Sequence, residues 1–206
     1  MRWSGLVTEM QRVLLADVAS TPWKNQRGMT QELLAWPESQ NWLLRLSVAT
    51  IDQSGEFSKF DGITRWFTVI DGDGVDLSIG QSQVSLDTGA DPVCFSGGLP
   101  CTAAIKGGTV HAFNVMFASG FDGRVVRVRS GESVELGVAR FVAIYGVESS
   151  DCEIAQDENA SVSKVALKAG DLHWSADSAK LSGHMSSHLR VHDGHVVVLL
   201  GSVSTI

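Results

Sequence analysis

No stretch of this 206-residue chain approaches the ~20 consecutive apolar residues that a bilayer-spanning helix requires. Mean hydropathy is +0.08, and the longest late apolar run, Val196 to Leu200, suits a buried strand. Basic charge is scarce as well: 16 Lys+Arg stand against 23 Asp+Glu, a formal charge of −7. DNA, RNA and anionic lipid are held by clustered positive charge. Neither nucleic acid nor membrane is therefore an expected partner, whereas a local basic pocket for a small anion is compatible with this balance. Cysteine is limited to Cys94, Cys101 and Cys152. The odd number leaves one unpaired, and the lack of any C-x-x-C removes zinc-ribbon and thioredoxin-type readings. All three read as small core or surface residues. The first twenty residues contain no secretory-type apolar core, because Glu9, Gln11, Arg12 and Asp17 interrupt it. The expected location is cytoplasmic.

The common catalytic signatures are missing too. There is no G-x-S-x-G, no H-E-x-x-H, no Walker loop and no dinucleotide-binding glycine pattern, so hydrolysis by a nucleophilic serine, zinc proteolysis and nucleotide binding lose their strongest support. His184, His188, His192 and His195 would align on a helix. Gly183, Asp193-Gly194 and the valine-rich run that follows place them instead on a loop and a hairpin, as surface histidines. His111 and His173 are isolated. Asp71, Asp73 and Asp76 lack the twelve-residue spacing of a calcium loop. No metal and no cofactor is expected.

What the chain does have is 24 valines and 21 glycines, a composition of short strands and tight turns. Trp42, Leu44, Leu46 and Val48 alternate with a set containing Arg45 and Ser47, the period-two pattern of a strand. Arg124 to Arg129 alternates likewise. Asp71-Gly72-Asp73-Gly74, Asp122-Gly123 and Asp193-Gly194 read as hairpin turns. Helical spacing is confined to Glu9–Asp17. The fold class is all-β, a closed barrel or a sandwich. The segment GDGVDLSIGQSQVSLDTGADPVCF is echoed by YGVESSDCEIAQDENASVSKVALKAGDLHW, a weak duplication with a period near 80 residues.

Polar residues embedded in strand context are the candidates for chemistry. Pro22-Trp23-Lys24-Asn25 opens a loop before Met29–Trp36. Thr30 and Glu32 share one face of that strand, and Arg45 and Ser47 share one face of the next. Arg65 follows Phe57, Phe60 and Gly62. Such a face lines a polar pocket in a barrel mouth, where a guanidinium fork matches a carboxylate. The same pattern also fits an Arg45–Glu32 pair on a solvated face, and the residues alone leave both readings open.

These residues carry a family likeness. PWKNQRGMTQEL resembles the P-W-K-N-G-G-G-x-T-x-E-[IL] signature of the HutD/Ves family of bacterial proteins. WLLRLSVA, GEFSKFDGITRWFTVIDGDGVDL and FNVM follow in the family's order over about residues 21–118. The resemblance implies a bicupin, two jelly-roll barrels packed in one chain, with residues 1–120 and 121–206 as its halves. It implies a non-catalytic regulator that binds an amino-acid-derived carboxylate, formiminoglutamate-like, in histidine utilisation or a stress response. Lys24, Arg45 and Arg65 would meet carboxylate oxygens. Asn25, Thr30, Ser47 and Asn114 would supply neutral hydrogen bonds, and Glu32 would accept from an amine or formimino nitrogen. Phe57, Phe60 and Met116 would form walls. The competing expectation is a metal-independent cupin isomerase or hydrolase with Glu32 as base. The chain departs from the signature at Gln26 and Arg27, where the family has glycines. Exposed sheet edges leave homodimerisation open.

Overall fold

Valine-rich alternation broken by glycine turns gives strands along most of the chain, as a computed structural model shows. It describes residues 10–23, 25–137, 139–156, 163–176 and 187–203. The chain divides into two units. One is Val18–Phe121; the other joins the residues up to Asp17 to Asp122–Thr205.

The chain enters through β1 (Gln11–Leu14), which belongs to the second unit. The first unit follows. It contains β2 (Ser20–Pro22), β3 (Gly28–Trp36), β4 (Leu44–Ile51), β5 (Gly55–Glu56) and β6 (Thr64–Asp71). It continues with β7 (Val75–Ile79), β8 (Ser82–Leu86), β9 (Val93–Ser96), β10 (Cys101–Ile105) and β11 (Val110–Phe117). A six-stranded sheet in the order β2-β3-β4-β11-β6-β9 accompanies a four-stranded sheet, β5-β10-β7-β8. Buried side chains of both sheets form one cluster. Ala49, Ile51, Phe67, Val69 and Ala112 come from the larger sheet, and Val75, Leu77, Ile79 and Ala103 from the smaller. Each of the larger side chains among them (Ile51, Phe67, Val69, Val75, Leu77, Ile79) contributes about 1.5–3 kcal/mol on leaving water, which is what holds two antiparallel sheets face to face.

The second unit consists of β1 and β12 (Phe121–Arg129), β13 (Ser133–Glu135), β14 (Phe141–Gly146), β15 (Ser150–Gln156), β16 (Ser163–Leu167), β17 (Asp171–Ser175), β18 (Ser187–Asp193) and β19 (His195–Val203). Its sheets run β1-β17-β14-β19-β12 and β13-β18-β15-β16. Adding eight to β4-β11-β6-β9 gives β12-β19-β14-β17, and adding eight to β5-β10-β7-β8 gives β13-β18-β15-β16. The same jelly-roll order thus occurs twice. Val142, Ile144, Val165, Leu189, Val191 and Val198 are among the buried residues of the second core.

Two local expectations fail. Glu9–Asp17 forms no α-helix among its described residues: Gln11–Leu14 is a strand and Leu15–Asp17 a single 3-10 turn. Pairing of β1 with β17, including Arg12 opposite His173, overrides the weak helical spacing. Asp122-Gly123 is not a turn either, since both lie inside β12. The chain reverses earlier, where Phe121 N–H bonds Ala118 O and Gly120 takes a φ of +93°. The other Asp-Gly signals turn as read, with Gly72, Gly74 and Gly194 at positive φ. Among the described residues no helix is long and apolar enough to cross a membrane.

Candidate functional site

The pleat of the six-stranded sheet decides which side chains meet. Arg45, Ser47, Ala49 and Ile51 of β4 stand opposite Met116, Asn114, Ala112 and Val110 of β11. Met116, Asn114 and Ala112 in turn face Arg65, Phe67 and Val69 of β6. Alternate residues share a face, so these rungs line the interior of the first barrel. The rungs of Ala49 and Ile51 are apolar. Ser47–Asn114–Phe67 is mixed, and Arg45–Met116–Arg65–Phe95 carries two guanidiniums.

Arg65 is the centre of this end of the barrel and is only 6% exposed. Its Nε and Nη2 both donate to Asn114 Oδ1, at 3.0 and 2.7 Å. The Asn114 amide is itself oriented by donation to Ala112 O at 3.4 Å. Three rings surround the guanidinium carbon, with centroids at 4.6 Å (Phe57), 5.6 Å (Phe95) and 5.9 Å (Phe67). Cation–π attraction at a desolvated site is worth up to about 2 kcal/mol. Burial pulls the Arg65 pKa down from 12.5 to about 10; the neighbouring Cys101 opposes the shift and the Arg45 charge adds to it. The charged form thus carries a penalty of about 3 kcal/mol. Among the described residues no carboxylate pairs with Arg65.

Nearer the surface, Arg45 Nε donates to Glu32 Oε2 at 2.5 Å, with the two side chains 21% and 41% exposed. A register shift in β3 between Glu32 and Leu34 accompanies this contact. The solvated-pair reading therefore describes Glu32, while Arg45 shares the inner face with Ser47. Ser47, Phe57, Asn114 and Met116 are buried. Thr30 stands opposite Ala49, and its hydroxyl accepts from Trp23 Nε1 at 2.7 Å. Asn25 is exposed and spends its Oδ1 on the Arg27 N–H at 3.1 Å, inside the turn. Lys24 lies outside the described residues. Phe60 is half-buried, its N–H bonded to Gly97 O.

Sequence reasoning missed Trp23, Phe67, Phe95 and Cys101. Phe67 was within reach, since it follows Arg65 by two on one strand. Phe95 required knowledge that β9 pairs with β6.

The fold of this barrel is shared by metal enzymes, but these residues do not suit a metal. The inner rungs present guanidiniums, an amide and a hydroxyl instead of imidazoles and carboxylates. Among the described residues no three His, Cys, Asp or Glu are grouped as metal ligands. His111 pairs with Asp71, Nδ1 to Oδ2, at 3.2 Å. Of the late histidines, His188 and His192 are exposed as expected, His195 is half-buried with its Nε2 away from solvent, and His184 falls outside the described residues. His188 is exposed on β18. His192 Nε2 and His195 Nδ1 each sit 2.7 Å from a glutamate, Glu153 and Glu148 respectively.

The second barrel also buries a guanidinium, Arg127 of β12 at 6% exposure, but on the face opposite inward Val126 and Val128. On β14 the inward Val142 faces Leu200. At its β1–β17 edge lies an open recess of about 470 Å³ lined in part by Arg12, Ser150, Lys168, Asp171 and His173. Buried Asp171 accepts there from Arg12 Nη2 at 2.7 Å and from the Lys168 N–H at 2.9 Å. Burial, reinforced by Arg12 and opposed by Asp171, holds His173 below its ordinary pKa.

The HutD family model matches residues 15–192. An uncharacterized 21.2 kDa protein in the hutC 3′ region of Pseudomonas putida is 34% identical over 54% of this chain and 60% of its own length. Protein Ves of Cronobacter sakazakii is 31% identical over 48% of this chain and 58% of its own length. The chain therefore spans about three fifths of each of these relatives. The solved structure of HutD from Pseudomonas fluorescens SBW25, in a formate condition, superposes with a TM-score of 0.77 at 22% identity. It covers 95% of this chain and 100% of that one. Oxalate decarboxylase of Bacillus subtilis superposes at 0.59 and 12% identity, covering 97% of this chain and 78% of its own. At these identities the structural likeness speaks to the fold alone, and the fold is the all-β, two-barrel bicupin.

Proposed function

Because this chain belongs to the HutD family, we propose that its first barrel binds a small carboxylate at Arg65 and serves as a ligand-responsive regulator. The carrying observation is the buried guanidinium whose hydrogen-bonded acceptor is a neutral amide. A buried charge lacking a counter-ion is costly, and an arriving anion recovers that cost. The planar fork offers a carboxylate two parallel charge-assisted bonds, each worth about 1.5–3 kcal/mol. Ser47 adds a hydroxyl on the rung of Asn114, and Phe57 and Met116 give the aliphatic part of a ligand apolar walls. At the rim a second ligand group meets the Arg45–Glu32 pair. A carboxylate competes with Glu32 for Arg45, whereas an amine or formimino nitrogen donates to Glu32.

A relative in the hutC 3′ region and a solved HutD fit a place in histidine utilisation, and the chemistry of Arg65 and the Arg45–Glu32 pair suits an amino-acid-derived carboxylate of the formiminoglutamate kind. Thermal melts with formate, acetate, glutamate, formiminoglutamate, urocanate and histidine test this reading. A ligand at 100 times its Kd raises stability by about 2.7 kcal/mol. The expected result is a selective shift that Arg65→Met abolishes, with the ligand's NMR spectrum unchanged after incubation. A flat response to all six, or a shift that survives Arg65→Met, overturns the site. Turnover of the ligand overturns the non-catalytic role.

A further inference from the structure

Resting on the anion-binding reading of Arg65, we infer that Trp23 is a positioning residue for that guanidinium, acting through Phe57, and that Arg27 latches it in place. The indole lies edge-on to the Phe57 ring, with centroids 6.0 Å apart and planes at 86°. Phe57 in turn covers the guanidinium carbon at 4.6 Å, nearer than either of the other two rings. The orientation of the indole is set from its other end. Its Nε1 donates to Thr30 Oγ1 at 2.7 Å, and Thr30 is fixed on β3. A ring held between a hydrogen bond and a second ring has little freedom to turn. Trp23 therefore sets where the nearest face over Arg65 stands.

The loop that carries Trp23 is closed on itself and tied to the loop that precedes Phe57. Trp23 N–H donates to Gly28 O at 2.9 Å, and Gln26 N–H to Trp23 O at 3.0 Å. Arg27 crosses to the neighbouring turn twice: its carbonyl accepts from Asp52 N–H at 3.2 Å, and its Nη1 donates to Ser54 O at 3.0 Å. Gly55 leaves room for this crossing, since a Cβ there would press on the Arg27 guanidinium and force the side chain to shift. On the far side the same turn is held by Ser54 Oγ, which accepts from Ile105 N–H at 3.1 Å. Phe57 N–H donates to Cys101 O at 2.8 Å. Both backbones beneath the Trp23–Phe57 contact are thus anchored, and the contact transmits the position of Trp23 to Arg65. A ligand carboxylate reaches a guanidinium whose plane is already chosen, and preorganisation of this kind lowers the cost of binding.

The experiment uses the full chain and acetate as the probe, with binding read by NMR titration and by the Arg65 side-chain Nε–H resonance. Ring current from Phe57 and the bond to Asn114 both mark that resonance. Trp23→Leu should shift it and weaken acetate about tenfold. Trp23→Phe, which keeps a ring against Phe57 while losing the Thr30 bond, should recover most of the affinity. Thr30→Val should move the resonance in the direction that Trp23→Leu does, by less. Arg27→Gly should speed association and dissociation together, so that the rates change more than Kd. If Trp23→Leu and Thr30→Val leave both the resonance and Kd within twofold of the parent while Arg65→Met abolishes binding, the positioning role is wrong and the anion site stands. If Arg65→Met binds acetate like the parent, the anion site itself fails and this role falls with it. Should Trp23→Leu not fold, Thr30→Val and Trp23→Phe decide the question through the resonance.

Discussion

The two barrels repeat one strand order and differ in what β6 and β14 turn into their interiors. The second residue of β6 is Arg65, bonded to Asn114 and ringed by Phe57, Phe67 and Phe95. The second residue of β14 is Val142, packed in an interior that includes Ile144, Val198 and Leu200. Alternating apolar residues and correctly placed turns are enough to build the jelly roll in both cases. What differs is a handful of inward positions: Arg65 stands on the core face of β6, whereas the buried Arg127 of β12 lies on the face opposite inward Val126 and Val128. At an edge of the second barrel half-exposed Arg12 meets buried Asp171.

The sharpest way to break this contrast is to transplant the charge. Val142→Arg places a guanidinium in a core with no amide acceptor opposite it, since the residue across the rung is Leu200. It should cost about 3–5 kcal/mol, the scale of an uncompensated buried charge, read as a large drop in the urea midpoint. Arg65→Met removes a charge that burial disfavours but leaves buried Asn114 Oδ1 without its donors, a cost of about 1–3 kcal/mol, so stability should change far less than in Val142→Arg while acetate no longer protects the fold. A loss of stability comparable with that of Val142→Arg would mean that Arg65 is structural.

A smaller effect belongs to the loop beside the first barrel. Gln26 has a φ of +57°, a left-handed backbone that favours glycine. Gln26→Gly should therefore relieve strain of about 1 kcal/mol, measured as a raised melting temperature. The smallest difference concerns acid. His173 has its pKa lowered in the folded second barrel, so the unfolded chain binds the proton first as pH falls. Its contribution is present above the ordinary histidine range and is lost below it. His173→Gln should flatten the acid side of the stability–pH curve, and Asn114→Gln in the first barrel should leave that slope alone.

Much of this architecture could be read before any coordinates. Period-two alternation in Leu44–Val48 locates β4, the Asp71–Gly74 turn separates β6 from β7, and the echo near 80 residues falls on β7–β9 and β15–β17. Local chemistry controls those features. The errors came where distant pairing prevails over local preference. Gln11–Leu14 becomes a strand because β17 offers it an edge. For the site, strand parity grouped Arg45 with Ser47 and Thr30 with Glu32, and family motifs supplied Arg65 and Asn114. That Arg65 and Asn114 touch depends on a contact across 49 residues. Phe67 shares a strand with Arg65, but Phe57 and Phe95 arrive from a loop and from β9, and no spacing along the chain encodes those two.

The placement of β1 has a consequence for how the protein comes into being. Arg12 and Asp171 are separated by 159 positions. At about 5–20 residues per second, a ribosome needs roughly 8–30 s to travel from one to the other. Every strand from β2 to β11 is made during that interval, so the first barrel can close while the segment ahead of it still waits for β17. For those seconds β1 is an unsatisfied strand with free backbone donors and acceptors, the condition in which nascent chains pair with the wrong neighbour. Its brevity, four residues with Gln11 and Arg12 exposed, limits what a stray partner could hold.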